Sequence, residues 1–314
     1  MLRPVLNRLI AVIPLMLIVT AATFFLGELM PGDQAQAIAG DTATPEMVEA
    51  IRRDLRLDDP APVRYVRWLG DAVQGDLGVS TTSRRPVIDE LERRWPITAQ
   101  LAFLSLGLSL AVGIPIGIIQ GLRPGSKADR GLLGVMSVSM AAPGFWIATM
   151  AVFLFAVKLR WLPAIGYVGF SESPVEWAKH MIMPAGTMAI LGAAVIARFL
   201  RTSLIGVMQE DYIRAARARG LSPRRLIGRH ALRNGATPVV TVLGLRFASL
   251  LAGSAIIEEI FGLPGLGSYT VRAVQLRDFP VVMSVVLAIA LIVLSVNLLT
   301  DIAYLMLNPK VRLS

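Results

Sequence analysis

Apolar positions along the chain gather into six long runs, separated mostly by short polar stretches. A helix that crosses a bilayer needs about 20 mostly apolar residues, with a range of roughly 17–25. Residues 9–27, 97–122, 131–157, 181–197, 235–257 and 281–300 meet that requirement. Five of these runs hold no Asp, Glu, Lys or Arg, and 235–257 holds a single charge, Arg246. Hydrocarbon offers backbone N–H and C=O groups no water to bond, so each run is expected to be helical. The pattern predicts an all-α membrane protein with six transmembrane helices. Pro115, Pro143, Pro184 and Pro238 lie within or beside the runs and predict kinks or broken ends.

The polar segment 30–96 is too long to be a turn. Thr44-Pro45-Glu46 reads as an N-cap, a first-turn proline and an acid placed where the helix dipole favours it. Met47, Ile51 and Leu55 follow at helical spacing. From Pro62 onward, Val63, Val66, Leu69 and Val73 repeat a helical pattern, and Gly75, Gly78 and Ser80 mark its end. A small helical element outside the membrane is expected, either covering span ends or meeting a delivered substrate or its carrier. The first run has a second reading as a secretory signal, since Arg3 and Arg8 precede it and Ala35-Gln36-Ala37 matches a small-residue cleavage pattern. A signal core has about 7–15 apolar residues. This run is longer and the match lies eight residues past its end, so a retained span is expected.

Composition agrees with the pattern. Of 314 residues, 54% are hydrophobic and 17% charged, with a mean hydropathy of +0.62. A disordered chain combines low hydrophobicity with high charge, and a soluble domain carries about 25% charged residues; neither class fits. A net charge of +9 would suggest nucleic acid in a soluble protein. In a membrane protein it points instead to Arg- and Lys-rich cytoplasmic loops, with no nucleic acid as partner. With the N-terminus inside, segments 1–8, 123–130, 198–234 and 301–314 hold 16 basic residues, against 5 in the short outside loops 158–180 and 258–280. Loop 30–96 is set aside because loops longer than about 60 residues cross largely regardless of charge. Both termini are therefore expected in the cytoplasm. The absence of Cys removes disulfides, thiolate metal sites and Cys nucleophiles.

Segment 210–234, EDYIRAARARGLSPRRLIGRHALRN, stands apart. Glu210 and Asp211 open a stretch in which Ala215, Ala216 and Ala218 interleave with Arg214, Arg217 and Arg219, acids first and cations last as the helix dipole favours. Gly220 fits a left-handed C-terminal cap. Ser222-Pro223 fits the N-cap and first position of a second helix, which carries Leu226, Ile227, His230 and Leu232 and ends before Gly235. Spacing alone leaves two readings open: a solvated basic loop obeying the charge bias, or a basic helical hairpin that receives a cytosolic partner.

The same residues carry a resemblance. Arg214-Ala215-Ala216 followed by Gly220 is similar to the Glu-Ala-Ala-(three residues)-Gly opening of the "EAA" loop in permease subunits of ATP-binding-cassette importers, with Arg214 in place of Glu and the closing Pro displaced to Pro238. Ala216-Arg217-Ala218-Arg219-Gly220-Leu221 and Arg229-His230-Ala231-Leu232-Arg233-Asn234 resemble the dipeptide/oligopeptide branch, which also includes nickel and glutathione importers. Leu57-Asp58-Asp59-Pro60, Gly75-Asp76-Leu77-Gly78, Glu258-Glu259-Ile260-Phe261, Leu263-Pro264-Gly265-Leu266-Gly267, Arg277-Asp278 before Pro280, and Asn308-Pro309-Lys310-Val311-Arg312 continue the likeness in order along nearly the whole chain.

The resemblance implies a type I importer permease fold in a bacterial inner membrane. It implies a coupling helix that docks on a cytosolic ATPase through Asp211, Ala215, Ala216, Arg219 and Gly220, with Leu221 and Arg224 next. It also implies a second, similar permease, two cytosolic ATP-binding subunits and an extracytoplasmic binding protein. The chain would then be no enzyme and bind no cofactor itself, with ATP and Mg on the partner subunits; the sequence has no Gly-x-x-x-x-Gly-Lys-Ser/Thr loop. The implied cargo is a di- or oligopeptide, with nickel or glutathione as alternatives. An ion-coupled secondary transporter is a rival of another class, but such proteins carry intramembrane acids, and only Glu28, Glu258, Glu259 and Asp301 border the runs. A membrane anchor for a cytosolic complex is a third reading.

Arg246 is the exception within the runs. A charge at mid-bilayer costs about 2.5–3.5 kcal/mol on insertion scales and faces a cavity or a partner. It is expected either to line the translocation path, with Glu258 and Glu259, and attract a carboxylate, or to pair with an acid on this or another subunit. His180 lies beside Met181 and Met183 with no second His at ligand spacing, and reads as a residue of a span start.

Overall fold

All six apolar runs fold as helices, as backbone groups without water require. The computed structural model describes the backbone of residues 2–29, 34–40, 43–54 and 56–307. Its helices are α1 (Leu2–Glu28), α2 (Gln34–Ala39), α3 (Pro45–Asp54), α4 (Ala61–Val73), α5 (Val87–Leu122), α6 (Lys127–Ala141), α7 (Gly144–Ala151, continued by a π-helical turn Val152–Lys158) and α8 (Pro174–Gln209). There follow α9 (Asp211–Ala218), α10 (Pro223–Arg225, continued by a π-helical turn Leu226–Ala231), α11 (Leu232–Gly235), α12 (Thr237–Phe261), α13 (Leu266–Gln275) and α14 (Phe279–Leu307). Among the described residues the only extended pairing is an isolated bridge between Val79 and Pro86.

The prolines divide by context. Pro115 and Pro184 are carried inside α5 and α8 without interruption, and Pro238 sits in the first turn of α12. Pro143 breaks its run: Ala142 is driven to an extended conformation (φ −74°, ψ 129°), as a residue before proline is, and the two arms are bent by 101°. Run 131–157 is therefore two helical arms and not one rod. By length and composition, α5, α8 and α14 each suffice to cross a membrane, and counting each interrupted pair (α6 with α7, α12 with α13) as one span gives up to five. In α1 the apolar helix with described side chains is the shorter Val12–Glu28.

Two helices, α5 and α8, are much longer than a bilayer crossing requires. At 1.5 Å per residue, the 36 residues of α5 and of α8 each extend about 54 Å, against about 30 Å of hydrocarbon. The last ten residues of segment 30–96 are thus already helical, because α5 starts at Val87, and segment 198–234 opens with helix. The reason is periodic burial beyond the runs: Val87 and Leu91 at one end, and Leu200 and Leu204 at the other, at i, i+4 spacing. Within 30–96, α3 begins as expected. Thr44 Oγ1 accepts from the Met47 N–H at 3.4 Å, and the Glu46 carboxyl is held below its ordinary range first by its own backbone N–H and then by Thr44. Leu55 lies outside the described residues.

Contacts divide the chain into two units, residues 1–98 with 264–294 and residues 99–263 with 295–314. In the first unit, α4 lies against α1: Tyr65 OH is 2.9 Å from Thr20 Oγ1, and Arg64 makes two bonds, 3.0 and 2.8 Å, to Glu28. Its core joins Val87 and Leu91 to Leu266 and Ala273 of α13 and to Val281 and Val285 of α14. The Leu266 N–H donates to Thr98 Oγ1 at 2.8 Å, meeting an orphan donor at the start of α13.

The second unit is organised on α8. Gly113, Gly117 and Gly121 form a stripe on α5 at four-residue spacing, facing α8. A Cβ on Gly113 would lie 2.8 Å from the Ala193 carbonyl oxygen, one on Gly117 2.9 Å from that of Ala197, and one on Gly121 2.8 Å from Leu204 Cβ. Lipid supplies no hydrophobic drive between helices, so close backbone approach through small residues must hold the pair. Gly117→Ala is expected to lower the thermal unfolding midpoint of the purified chain, at a cost of about 1–3 kcal/mol for overpacking against backbone. Gly131→Ala, where nothing lies within 4 Å, should leave the midpoint unchanged.

Candidate functional site

The hairpin forms directly after α8. Glu210 is extended (φ −67°, ψ 146°) and starts α9. At the other end Gly220 takes φ +79°, its N–H donates to the Arg217 carbonyl at 3.0 Å, and the Leu221 N–H donates to that of Ala216 at 3.3 Å. That is a Schellman cap, which needs a left-handed residue and explains Gly at this position. Ser222 has the extended backbone of an N-cap but makes no side-chain capping bond; Pro223 opens α10 as expected. The second arm does not end before Gly235. It runs through the π-helical turn into α11, which includes Gly235, and on to α12.

One face of α9 is anchored and the other is free. Ile213 is fully buried in a cluster with Ile196, Leu200 and Leu204 of α8, Leu226 and Ala231 of the π-helical turn, and Val239 of α12. Ala216, one turn on, is half-buried against the same cluster. Asp211, Ala215, Arg219 and Gly220 are exposed and Leu221 is half-buried. The Arg224 side chain lies outside the described residues. Of the site residues read from the sequence, Asp211, Ala215 and Ala216 lie on α9, Arg219 caps it, Gly220 and Leu221 form the turn after it and Arg224 lies in α10; Ala216 serves mainly the joint beneath α9. Arg214, where the EAA pattern has Glu, donates to the Gln209 carbonyl at 3.0 Å, satisfying one of the orphan acceptors at the end of α8. Asn234 Nδ2 donates to Tyr212 OH at 2.7 Å and ties the base of the hairpin.

An ion pair that sequence spacing did not reveal braces the rod above. Asp129 of α6, almost wholly buried, takes Arg201 of α8 on both oxygens at 2.8 Å. It also accepts the Gly125 N–H at 2.8 Å, while its own N–H donates to Ser126 Oγ at 3.1 Å. The partners are 72 residues apart, so no local pattern signals them. Ile213 was missed for another reason: as a single apolar residue in a charged stretch, it matches no catalytic or binding pattern.

Arg246 is half-buried in α12 and donates to the Leu191 carbonyl of α8 at 3.2 Å. Among the described residues of this chain it makes no ion pair. Glu258 is fully buried and Glu259 exposed at the far end of α12. Twelve residues of helix, about 18 Å, separate Arg246 from Glu258, so the three expected path residues form no single cluster. His180 Nδ1 lies 2.8 Å from the Glu176 carbonyl, within its own helix. Among the described residues no group of His, Asp and Glu is arranged to hold a metal.

Comparison with known proteins agrees in kind. Residues 113–313 match the family described as the inner membrane component of binding-protein-dependent transport systems, and residues 1–102 match the N-terminal family of the same component. A Brucella abortus protein named as a peptide transport system permease is 41% identical over 308 residues, 98% of either chain. The glutathione transport system permease protein GsiC of Escherichia coli is 38% identical over 312 residues, 99% of either chain. An inward-facing structure of the MetNI methionine ABC transporter superposes with a TM-score of 0.59 at 18% identity, covering 70% of this chain and 96% of that one, and shares the fold.

Ile213→Ala would leave a void beneath α9 worth about 2 kcal/mol or more. Amide hydrogen exchange at residues 213–221 is expected to quicken by about thirtyfold, the factor that free energy corresponds to, with little change in the middle of α8.

Proposed function

The chain belongs to the inner membrane components of binding-protein-dependent transport systems, and we propose on that premise that it forms half of the translocation pathway of an ATP-driven importer of di- or oligopeptides. The observation that carries the coupling part of this reading is the two-faced α9, exposed and basic on one side and locked through Ile213 to α8 on the other. A cytosolic ATPase meets Asp211, Ala215, Arg219 and Gly220, with Leu221 and Arg224 beside them and Ala216 beneath. ATP with Mg is bound and hydrolysed on two such partner subunits, not on this chain. Their closure displaces α9. Because α9 continues through Glu210 into α8 and through α10, the π-helical turn and α11 into α12, the displacement passes to two spans along covalent, packed helix.

Six spans are few for a pathway, so a second permease of the same family supplies the other half. The N- and C-termini lie in the cytoplasm, residues 30–96 lie outside, and a binding protein delivers the solute there. Uptake follows from a solute that binds the outward-open and inward-open states differently. The alternative cargo with support among the relatives is glutathione, itself a tripeptide and the named substrate of a relative matched end to end. In either case Arg246 offers a guanidinium to a free carboxylate, held toward α8 by the Leu191 carbonyl until solute arrives.

The test is uptake by the assembled complex in proteoliposomes. Ala215→Asp combined with Arg219→Glu should cut ATP-dependent peptide uptake by about tenfold or more, the loss of one modest interface contact. ATPase subunits should either dissociate or hydrolyse without transport, and unchanged uptake would overturn the coupling role. Arg246→Ala should reduce uptake of a free-acid peptide by about fivefold or more, as removal of a charged hydrogen bond does, while sparing its C-terminal amide. Equal uptake of both by a normally assembled variant rejects Arg246 as a path residue.

A further inference from the structure

Away from the hairpin, the unit of residues 1–98 and 264–294 holds two adjoining cavities of about 290 and 300 Å³. They share Arg277, Phe279 and Met283. The first has a charged rim, with Arg64, Arg67, Glu28 and Asp71 beside Trp68. The second is bounded by Leu26, Val274 and Val282, with Thr23 its one further polar side chain. Both lie where α1 ends and α14 begins, the level at which the apolar runs give way to charge.

The rim charges are unequally matched. Arg64 is held by Glu28 on two oxygens and Arg67 by Asp59 at 2.7 Å. Arg277 makes no ion pair among the described residues. The Trp68 Nε1–H is buried and has no acceptor among the described residues. With three arginines against Glu28 and Asp71, the lining of the first cavity carries one net positive charge.

Arg277 is also positioned by its neighbours. Its φ of +55° is a left-handed conformation that a residue with a Cβ adopts only when the surroundings impose it. The next residue imposes it: Asp278 is buried, its carboxylate accepts Ser80 Oγ at 2.5 Å and the N–H groups of Thr81 and Thr82 at 3.2 and 3.1 Å, and its own N–H donates to the Ala273 carbonyl at 2.8 Å. Gly27 completes the wall, since a Cβ there would collide with the Phe279 ring.

A half-buried cation, an unused indole donor and an adjoining hydrocarbon slot call for a ligand that is anionic at one end and apolar at the other. We infer that the two cavities bind an anionic phospholipid at the membrane–water boundary, its phosphate on Arg277 and Trp68 and an acyl chain in the second cavity. The site is independent of the solute carried, and under the topology proposed above it faces the outer leaflet.

The test uses the full chain in mild detergent, delipidated and supplied with phosphatidylglycerol or phosphatidylcholine, with bound lipid counted by native mass spectrometry. Phosphatidylglycerol should be retained in preference to phosphatidylcholine. Arg277→Gln should weaken its retention by about five- to tenfold, the weight of one basic contact to a phosphate at the membrane surface, and Arg277→Lys should keep most of it. Gly27→Ala, which drives the Phe279 ring into the slot, should weaken it as well. Lipid-free melting of each variant monitors folding, so equal retention by wild type and a folded Arg277→Gln overturns the inference, as does equal binding of the two lipids. Displacement by inorganic phosphate would assign the rim to a free anion. If Arg277→Gln instead loosened the binding protein in phosphatidylcholine vesicles with lipid retention intact, the rim would belong to an acidic protein surface. Either result also overturns the lipid.

Discussion

Burial of Ile213 against Leu200 and Leu204 is the contact on which the placement of α9 depends. A short helix of eight residues has no stability of its own in water, since its nucleation is costly and few bonds follow. Packed through Ile213 onto the end of α8, it becomes an extension of that helix's core. The Schellman cap at Gly220 and the Tyr212–Asn234 bond close the hairpin around this anchor. Arg217 and Arg219 are left exposed on the outer face, while Arg214 caps the end of α8 and Ala216 packs on the joint.

The helix that carries α9 is stiffened by means suited to lipid. Apolar side chains gain little by leaving hydrocarbon for one another, so α5 and α8 are joined by backbone approach at Gly113, Gly117 and Gly121. Beyond the stripe, the Asp129–Arg201 pair supplies what packing alone cannot, a directional tie with both carboxylate oxygens engaged. It comes with one further donor to the acid, the Gly125 N–H, and additional hydrogen bonds of this kind are the condition under which a buried pair repays its desolvation.

Much of the hairpin was legible because its signals are local. Glycine for a positive φ, proline in a first turn and acids at a helix start each act within a few residues, and Gly220, Pro223 and Asp211 stand where those rules put them. The reach of α5 and α8 was not legible in the same way. Val87, Leu91, Leu200 and Leu204 sit among charged residues, so an apolar window ends before the helix does. Proline was ambiguous for a related reason: Pro115, Pro184 and Pro143 look alike in sequence, and only at Pro143 does the preceding residue settle into the extended form.

Sequence alone determined that the chain lives in lipid as helices, where its basic hairpin lies and to which family it is similar, because hydropathy, turn chemistry and linear motifs are properties of neighbouring residues. Tertiary structure decided that Ile213 is an anchor, that Asp129 finds Arg201 across 72 positions, that Arg246 meets the Leu191 carbonyl, and that Arg277 turns toward a divided cavity. These depend on which faces meet when long helices pack. That outcome is fixed by steric fit and by the satisfaction of buried charge, and neither can be read from residues that are distant along the chain.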